Sequence, residues 1–236
     1  MTELRFWLEY QPRFCAKTGA VVSVEALARA ETAGQRVSPA EFIPALEASG
    51  AITDFTYQVL LLAALEVGPV ARRLRTLRGV AVNVSPVSFL DPLFAAQFAA
   101  CRHALPVTLE CELTETACPL PPATVLDNIR QLDAAGAEVA LDDFGTGASN
   151  MHYISESVTT LKIDRSFVSG IGKTKAKESV VRSIVALARE NGMRTVAEGV
   201  ETEEQRQFVC EAGCDELQGF LLARPMSATD LVRRFG

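Results

Sequence analysis

The chain has 236 residues, 48% of them hydrophobic and 22% charged, a globular mix that excludes disorder as its main state. Its 23 basic and 29 acidic side chains leave a formal net charge of −6, which excludes a dominant basic footprint for duplex nucleic acid and disfavours a membrane-surface role. The opening MTELRFW lacks a signal-peptide apolar region, and the longest apolar run, residues 59–65, is too short to span a bilayer. The expectation is a cytoplasmic chain without membrane insertion. The six cysteines form no CxxC pair and sit mostly inside apolar patterns, as buried thiols in a reducing compartment do.

In chain order, residues 5–11 and 21–28 read as strands. Only PRFCAKTGA separates them, and its Thr18-Gly19 pair marks a turn, so the two predict an antiparallel hairpin. Further strands are predicted at 79–85, 107–114, 137–143, 159–164, 194–199 and 214–220. Amphipathic stretches at 39–49, 55–66, 88–103, 123–135, 176–191 and 203–212 predict helices between them. The first of these carries a cap and an N1 proline at Ser38-Pro39 and a closing Gly50. Strand–helix alternation over this length, without a linker, predicts one domain spanning 1–236: an α/β, TIM-like (β/α)8 barrel modified by one antiparallel strand near its start.

Active groups of such a barrel gather where the parallel strands end. The polar residues at those ends are Glu25, Asn83, Glu112, Asp142, Asp143, Lys162, Glu198 and Gln218, each after an apolar run. Carboxylates converging on one face must protonate, pair with cations or bind metal. Oxygen ligands with an amide and no histidine or thiolate select hard cations, Mg²⁺ or Mn²⁺. The adjacent Asp142 and Asp143 suit two ions about 3.5–4 Å apart, the arrangement that activates water against a phosphodiester. Lys162 adds a cation that can orient water or offset developing charge, and Arg29 near the rim has the fork that grips phosphate. The glycine loop DDFGTGASN fails as a dinucleotide fingerprint because Asn150 stands at its sixth position. GIGKTK fails as a P-loop because Phe167 stands where the first glycine is needed, and it reads as an exposed basic turn.

With these residues in place, the chain resembles the EAL-domain phosphodiesterases that hydrolyse the bacterial messenger cyclic di-GMP. The resemblance rests on YQP at 10–12, VEALAR at 24–29, SPAEFIPALEASG at 38–50, VNVSP at 82–86, ELTET at 112–116, DDFGTG at 142–147, LKIDRSFV at 161–168, AEGVET at 197–202 and QGF at 218–220, in the family's order. It implies that Glu25, Asn83, Glu112 and Asp142 hold one divalent cation and Asp142, Asp143 and Glu198 a second, with a water or hydroxide between. It further implies that Lys162 contacts that water or the phosphate, Gln218 supports a metal-bound water, and Gln11 and Arg29 contact the dinucleotide. By the same resemblance Glu115 anchors the glycine loop, and Asp164 and Glu201 lie at the edge of the site. The implied product is linear 5′-pGpG.

Departures from the family pattern are Ala28 and Ala30, where it carries leucine and tryptophan, and Ala148-Ser149-Asn150-Met151 after the glycine loop. The alternatives weighed are a cyclic di-GMP receptor that binds without cleaving and signals through a protein partner, and a barrel glycoside hydrolase using paired carboxylates. The second explains neither Asn83 nor the Asp142-Asp143 pair. Many relatives are dimers, so a homodimer is a partner the resemblance implies, as are sensory or regulatory domains if the chain belongs to a longer protein.

Overall fold

The computed structural model describes residues 4–114, 123–146 and 157–236. Eight strands close into a barrel: β1 (Arg5–Cys15), β2 (Val21–Thr32), β4 (Gly79–Val84), β5 (Thr108–Thr114), β6 (Glu138–Phe144), β7 (Thr160–Ile163), β8 (Arg194–Ala197) and β9 (Glu216–Leu217). The parallel neighbours run β2-β4-β5-β6-β7-β8-β9, and β1 closes the ring antiparallel to both β2 and β9. The expected modified barrel is therefore the observed one. The hairpin places Gln11 opposite Glu25 and turns at Gly19, whose φ of 69° suits glycine. Beyond Ala26 the β1–β2 pair outruns β4 and continues as a ribbon above the mouth, edged by β3 (Gln35–Val37).

The helices α1 (Pro39–Ser49), α2 (Ile52–Arg73), α3 (Phe94–Ala104), α4 (Ala123–Ala134), α6 (Lys175–Glu190) and α7 (Glu203–Ala212) follow the predicted stretches. Ser38 and Glu41 form a reciprocal capping box at the start of α1, and Gly50 ends it at φ 77°. Three expectations change. The stretch 88–103 is not one helix but a 3-10 turn (Ser88–Leu90) followed by α3, because Pro92 disfavours helical geometry at Asp91 and has no N–H to give. The stretch 55–66 extends to α2, which continues past Pro69. Two short helices, α5 (Arg165–Val168) and α8 (Ala228–Phe235), were not foreseen. The second packs Leu231 into the core and Phe235 edge-on against Phe14, with ring centroids 5.6 Å apart. GIGKTK is an exposed turn leading into α6, as expected. The described cysteines are all free; Cys111 and Cys214 are buried, while Cys15, Cys101 and Cys210 are only partly so.

Period-two alternation sorts each strand. On β5, Leu109, Cys111 and Leu113 face the helices, while Glu110 and Glu112 enter the barrel; on β7, Leu161 and Ile163 pack outward, while Thr160 and Lys162 turn inward. The barrel interior thus holds polar and charged groups where such barrels ordinarily stack branched aliphatics. At the top, Val200 N–H donates to the Gln218 carbonyl and the Val200 carbonyl accepts from Leu221 N–H, at 3.0 and 3.1 Å. That close approach leaves no room at Gly219, where a Cβ would overlap the Val200 backbone. Gly219→Ala should therefore destabilise the chain by about 2 kcal/mol or more, measured by urea unfolding. Gly79→Ala, whose Cβ meets nothing nearer than 3.6 Å, should stay within about 0.5 kcal/mol of the parent.

Candidate metal centre

The residues at the strand ends converge. Lys162 is 1% exposed, and its Nζ lies 2.8 Å from Glu112, 2.9 Å from Asp142, 2.7 Å from Glu198 and 4.0 Å from Glu25. Burial alone would lower its pKa, but Asp142, Glu198 and Glu25 outweigh that and raise it, so the ammonium stays charged. Glu25 accepts from Asn83 Nδ2 at 2.7 Å and from Gln218 Nε2 at 2.6 Å. Burial pushes its carboxyl up, yet Lys162, Arg13 and the two amides together bring it down to about 2.

In a regular strand the adjacent Asp142 and Asp143 would face opposite sides. Here Asp143 adopts φ 53°, a left-handed conformation that aspartate tolerates, and the β6–β7 register shifts between Leu141 and Phe144. Its backbone N–H donates to Asp142 Oδ1 at 3.0 Å. As a result Asp142, Asp143 and Glu198 bring carboxylate oxygens within 4.8 Å of one another. Burial, then Asp142 and Asp164, push Asp143 up to about 6. Burial pushes Glu198 up to about 7, with Asp142 and Glu25 adding to the rise and Lys162 opposing it.

One lysine therefore does not balance the acids around it, and an all-oxygen set with surplus negative charge fits a hard divalent cation. Asp142, Asp143 and Glu198 are grouped closely enough to hold one. Glu25 and Asn83 stand beside each other, joined by their hydrogen bond. Glu112 is paired between Lys162 and Arg13 in this arrangement.

The remaining expected residues divide. Gln11 accepts from Gln218 Nε2 at 3.1 Å and so belongs to the site. Glu201 is exposed and lines, with Gln11, Glu198, Gln218, Arg165 and Phe220, a cavity of about 200 Å³ over the carboxylates. Asp164 caps α5 through Ser166 N–H at 3.0 Å and faces Asp143. Arg29 stands on the ribbon beside a neighbouring apolar cavity lined also by Glu25 and Asn83, with its Nε donating to Glu9 at 2.9 Å. Glu115 and the Ala148–Met151 stretch lie outside the described residues. Sequence reasoning missed Arg13 and Glu110, both fully buried beneath the site. The available signal was alternation: Gln11 and Arg13, like Glu110 and Glu112, are polar at i and i+2, with apolar residues or proline between and beside them.

A family model described as "EAL domain" matches residues 2–225. A bifunctional diguanylate cyclase/cyclic di-GMP phosphodiesterase, MucR of Pseudomonas aeruginosa, is 36% identical over 237 residues, covering 95% of this chain and 34% of that protein. The cyclic di-GMP phosphodiesterase PdeR of Escherichia coli is 34% identical over 234 residues, covering 96% and 35%. The chain thus spans about a third of the length of these relatives. Among solved structures, the PaMucR phosphodiesterase in complex with c-di-GMP superposes with a TM-score of 0.83 at 33% identity, covering 96% of this chain and 94% of that one.

The shifted carboxyls of Glu198 and Glu25 set a pH dependence whose sign is fixed. Glu198, with an ordinary value of 4.5, titrates at about 7 in the fold, so its contribution is fully present below 4.5 and is lost as pH rises through about 7. Glu25 acts oppositely: its contribution is present above 4.5 and is lost as pH falls toward about 2. In EDTA the melting temperature should fall between about pH 5 and about pH 8, and Glu198→Gln should flatten that fall. Thermal melts across this range check it, and a pH-independent melting temperature in the parent chain would count against the charge arrangement.

Proposed function

The chain belongs to the EAL domain family, and on that premise we propose that its barrel mouth holds two divalent cations, Mg²⁺ or Mn²⁺, and hydrolyses cyclic di-GMP to linear 5′-pGpG. The observation that carries the proposal is the grouping of Asp142, Asp143 and Glu198 beside Lys162, with more negative charge than the lysine balances. Asp142, Asp143 and Glu198 are the proposed ligands of one cation, and Glu25, Asn83, Glu112 and Asp142 those of the other. Bound there, the cations would polarise a phosphoryl oxygen and lower the pKa of water.

The chain's own groups supply the rest. Without cations the acidic mouth repels the dinucleotide, whose two phosphodiesters each carry one negative charge, so substrate and metal binding support each other. Lys162 keeps its proton and presents fixed positive charge next to the acids, where charge develops on the phosphoryl oxygens. Arg29 can reach a phosphate once it leaves Glu9, with which it pairs on the ribbon in a partly exposed ion pair of modest strength. Gln11 and Gln218 line the cavity with amides paired to each other, and Asp164 and Glu201 flank the opening. Phe220, half exposed at the cavity, offers a ring face for a base.

The test is chromatographic, with cyclic di-GMP and Mg²⁺ or Mn²⁺. Product pGpG should form, disappear with EDTA, and fall by about a hundredfold or more in Glu25→Ala and in Asp142→Asn. Binding of cyclic di-GMP without product would move the chain to the receptor class, and full turnover in EDTA would remove the metal assignment.

A further inference from the structure

We infer that Arg13 is a positioning residue for the site, fixing the amide of Gln218 so that its NH₂ points at Glu25; the link to metal binding rests on the function proposed above. Arg13 lies on β1 and is 1% exposed. Its Nε donates to Gln218 Oε1 at 3.1 Å, one terminal nitrogen donates to Glu110 Oε1 at 2.6 Å, and the other pairs with Glu112. A guanidinium has donors only, so the Gln218 atom that faces it must be the carbonyl oxygen. The amide nitrogen is then left facing Glu25 Oε2 at 2.6 Å and Gln11 Oε1 at 3.1 Å.

The far end demands the same orientation, because an ionised Glu25 carboxylate accepts only. Each link from Glu110 through Arg13 and Gln218 to Glu25 therefore has one permitted direction. The lower end is itself anchored: Glu110 Oε2 accepts from Thr160 Oγ1 at 2.8 Å and from Arg194 at 3.1 Å. All three of its nitrogens face partners, on β5 and just beyond β9. A flipped Gln218 would put its oxygen against Glu25 and its NH₂ against the guanidinium, costing both hydrogen bonds at once.

Arg13→Met would strip Glu110 and Glu112 of a counter-ion and threatens the fold. Arg13→Lys keeps the charge but cannot place a planar fork across Glu110, Glu112 and Gln218. Two readouts are taken on folded protein. In EDTA, the Gln218 side-chain NH₂ pair, assigned by its loss in Gln218→Ala, should shift and lose exchange protection in Arg13→Lys, while the Asn83 pair stays in place. By calorimetry, Mn²⁺ affinity should fall about tenfold to a hundredfold in Arg13→Lys, and the same substitution in a Gln218→Ala background should cost nothing further. An unchanged Gln218 pair, or equal losses of affinity in the two backgrounds, overturns the inference. No Mn²⁺ binding by the parent chain would instead overturn the metal reading, and the NMR comparison would still decide the role of Arg13.

Discussion

One ammonium at the barrel's centre holds the mouth together. Lys162 is buried from solvent, and three carboxylates from β5, β6 and the end of β8 meet at its Nζ. Burying a single lysine costs several kcal/mol unless such partners surround it, and each partner would repel the others without the lysine. The strands that carry them are thus tied to one another by charge as well as by their ladders. The tie is incomplete by design of the composition: more acids than cations face the mouth, and the surplus is what makes the site a receiver of positive charge.

The reversed strand shapes the site in a second way. A parallel strand contributes to the mouth only at its end, but β1 enters from the mouth side and descends through the barrel. Gln11 and Arg13 therefore come from one strand at two depths, the first beside Gln218 at the mouth and the second between Glu110 and Glu112. The paired acids at positions 142 and 143 solve a different problem. They serve one site from adjacent positions because the chain leaves extended geometry between them.

Much of this was legible in the sequence, for identifiable reasons. Strands buried on both faces leave apolar runs, and their polar terminators stand out, so Glu25, Asn83, Glu112, Asp142, Lys162, Glu198 and Gln218 were readable as a set. The hairpin followed from a connection too short for a crossover. Arg13 escaped because the reading took strand ends and β1 presents its interior. The α8 helix escaped because its eight residues, ATDLVRRF, span only about two turns, too few for a clear helical period, although Leu231 is buried and Val232 and Phe235 pack against the core. The break in 88–103 was marked by Pro92, but the apolar pattern on either side masked it. Asp143's sideways turn had no sequence signature, since aspartate is as ordinary in a strand's last position as in a left-handed one.

The closure of the barrel also has a temporal meaning. Gln218 reaches Arg13 across 205 residues and Glu25 across 193, while β1 meets β9 through only Phe14–Leu217 and Cys15–Glu216. Contacts so distant in the chain form late, because loop-closure entropy opposes them until nearer strands have paired. During synthesis, β1 through β8 can zip together, with β1 already in its hairpin with β2, while the other edge of the first strand waits for the ninth. Until β9 arrives, Glu25 lacks one of its two amide donors, Arg13 has no Gln218 to orient, and the carboxylates stand in an open trough. The site is thus an all-or-none property of the finished ring, and a nascent or nicked chain that has lost β9 carries the acids without the arrangement.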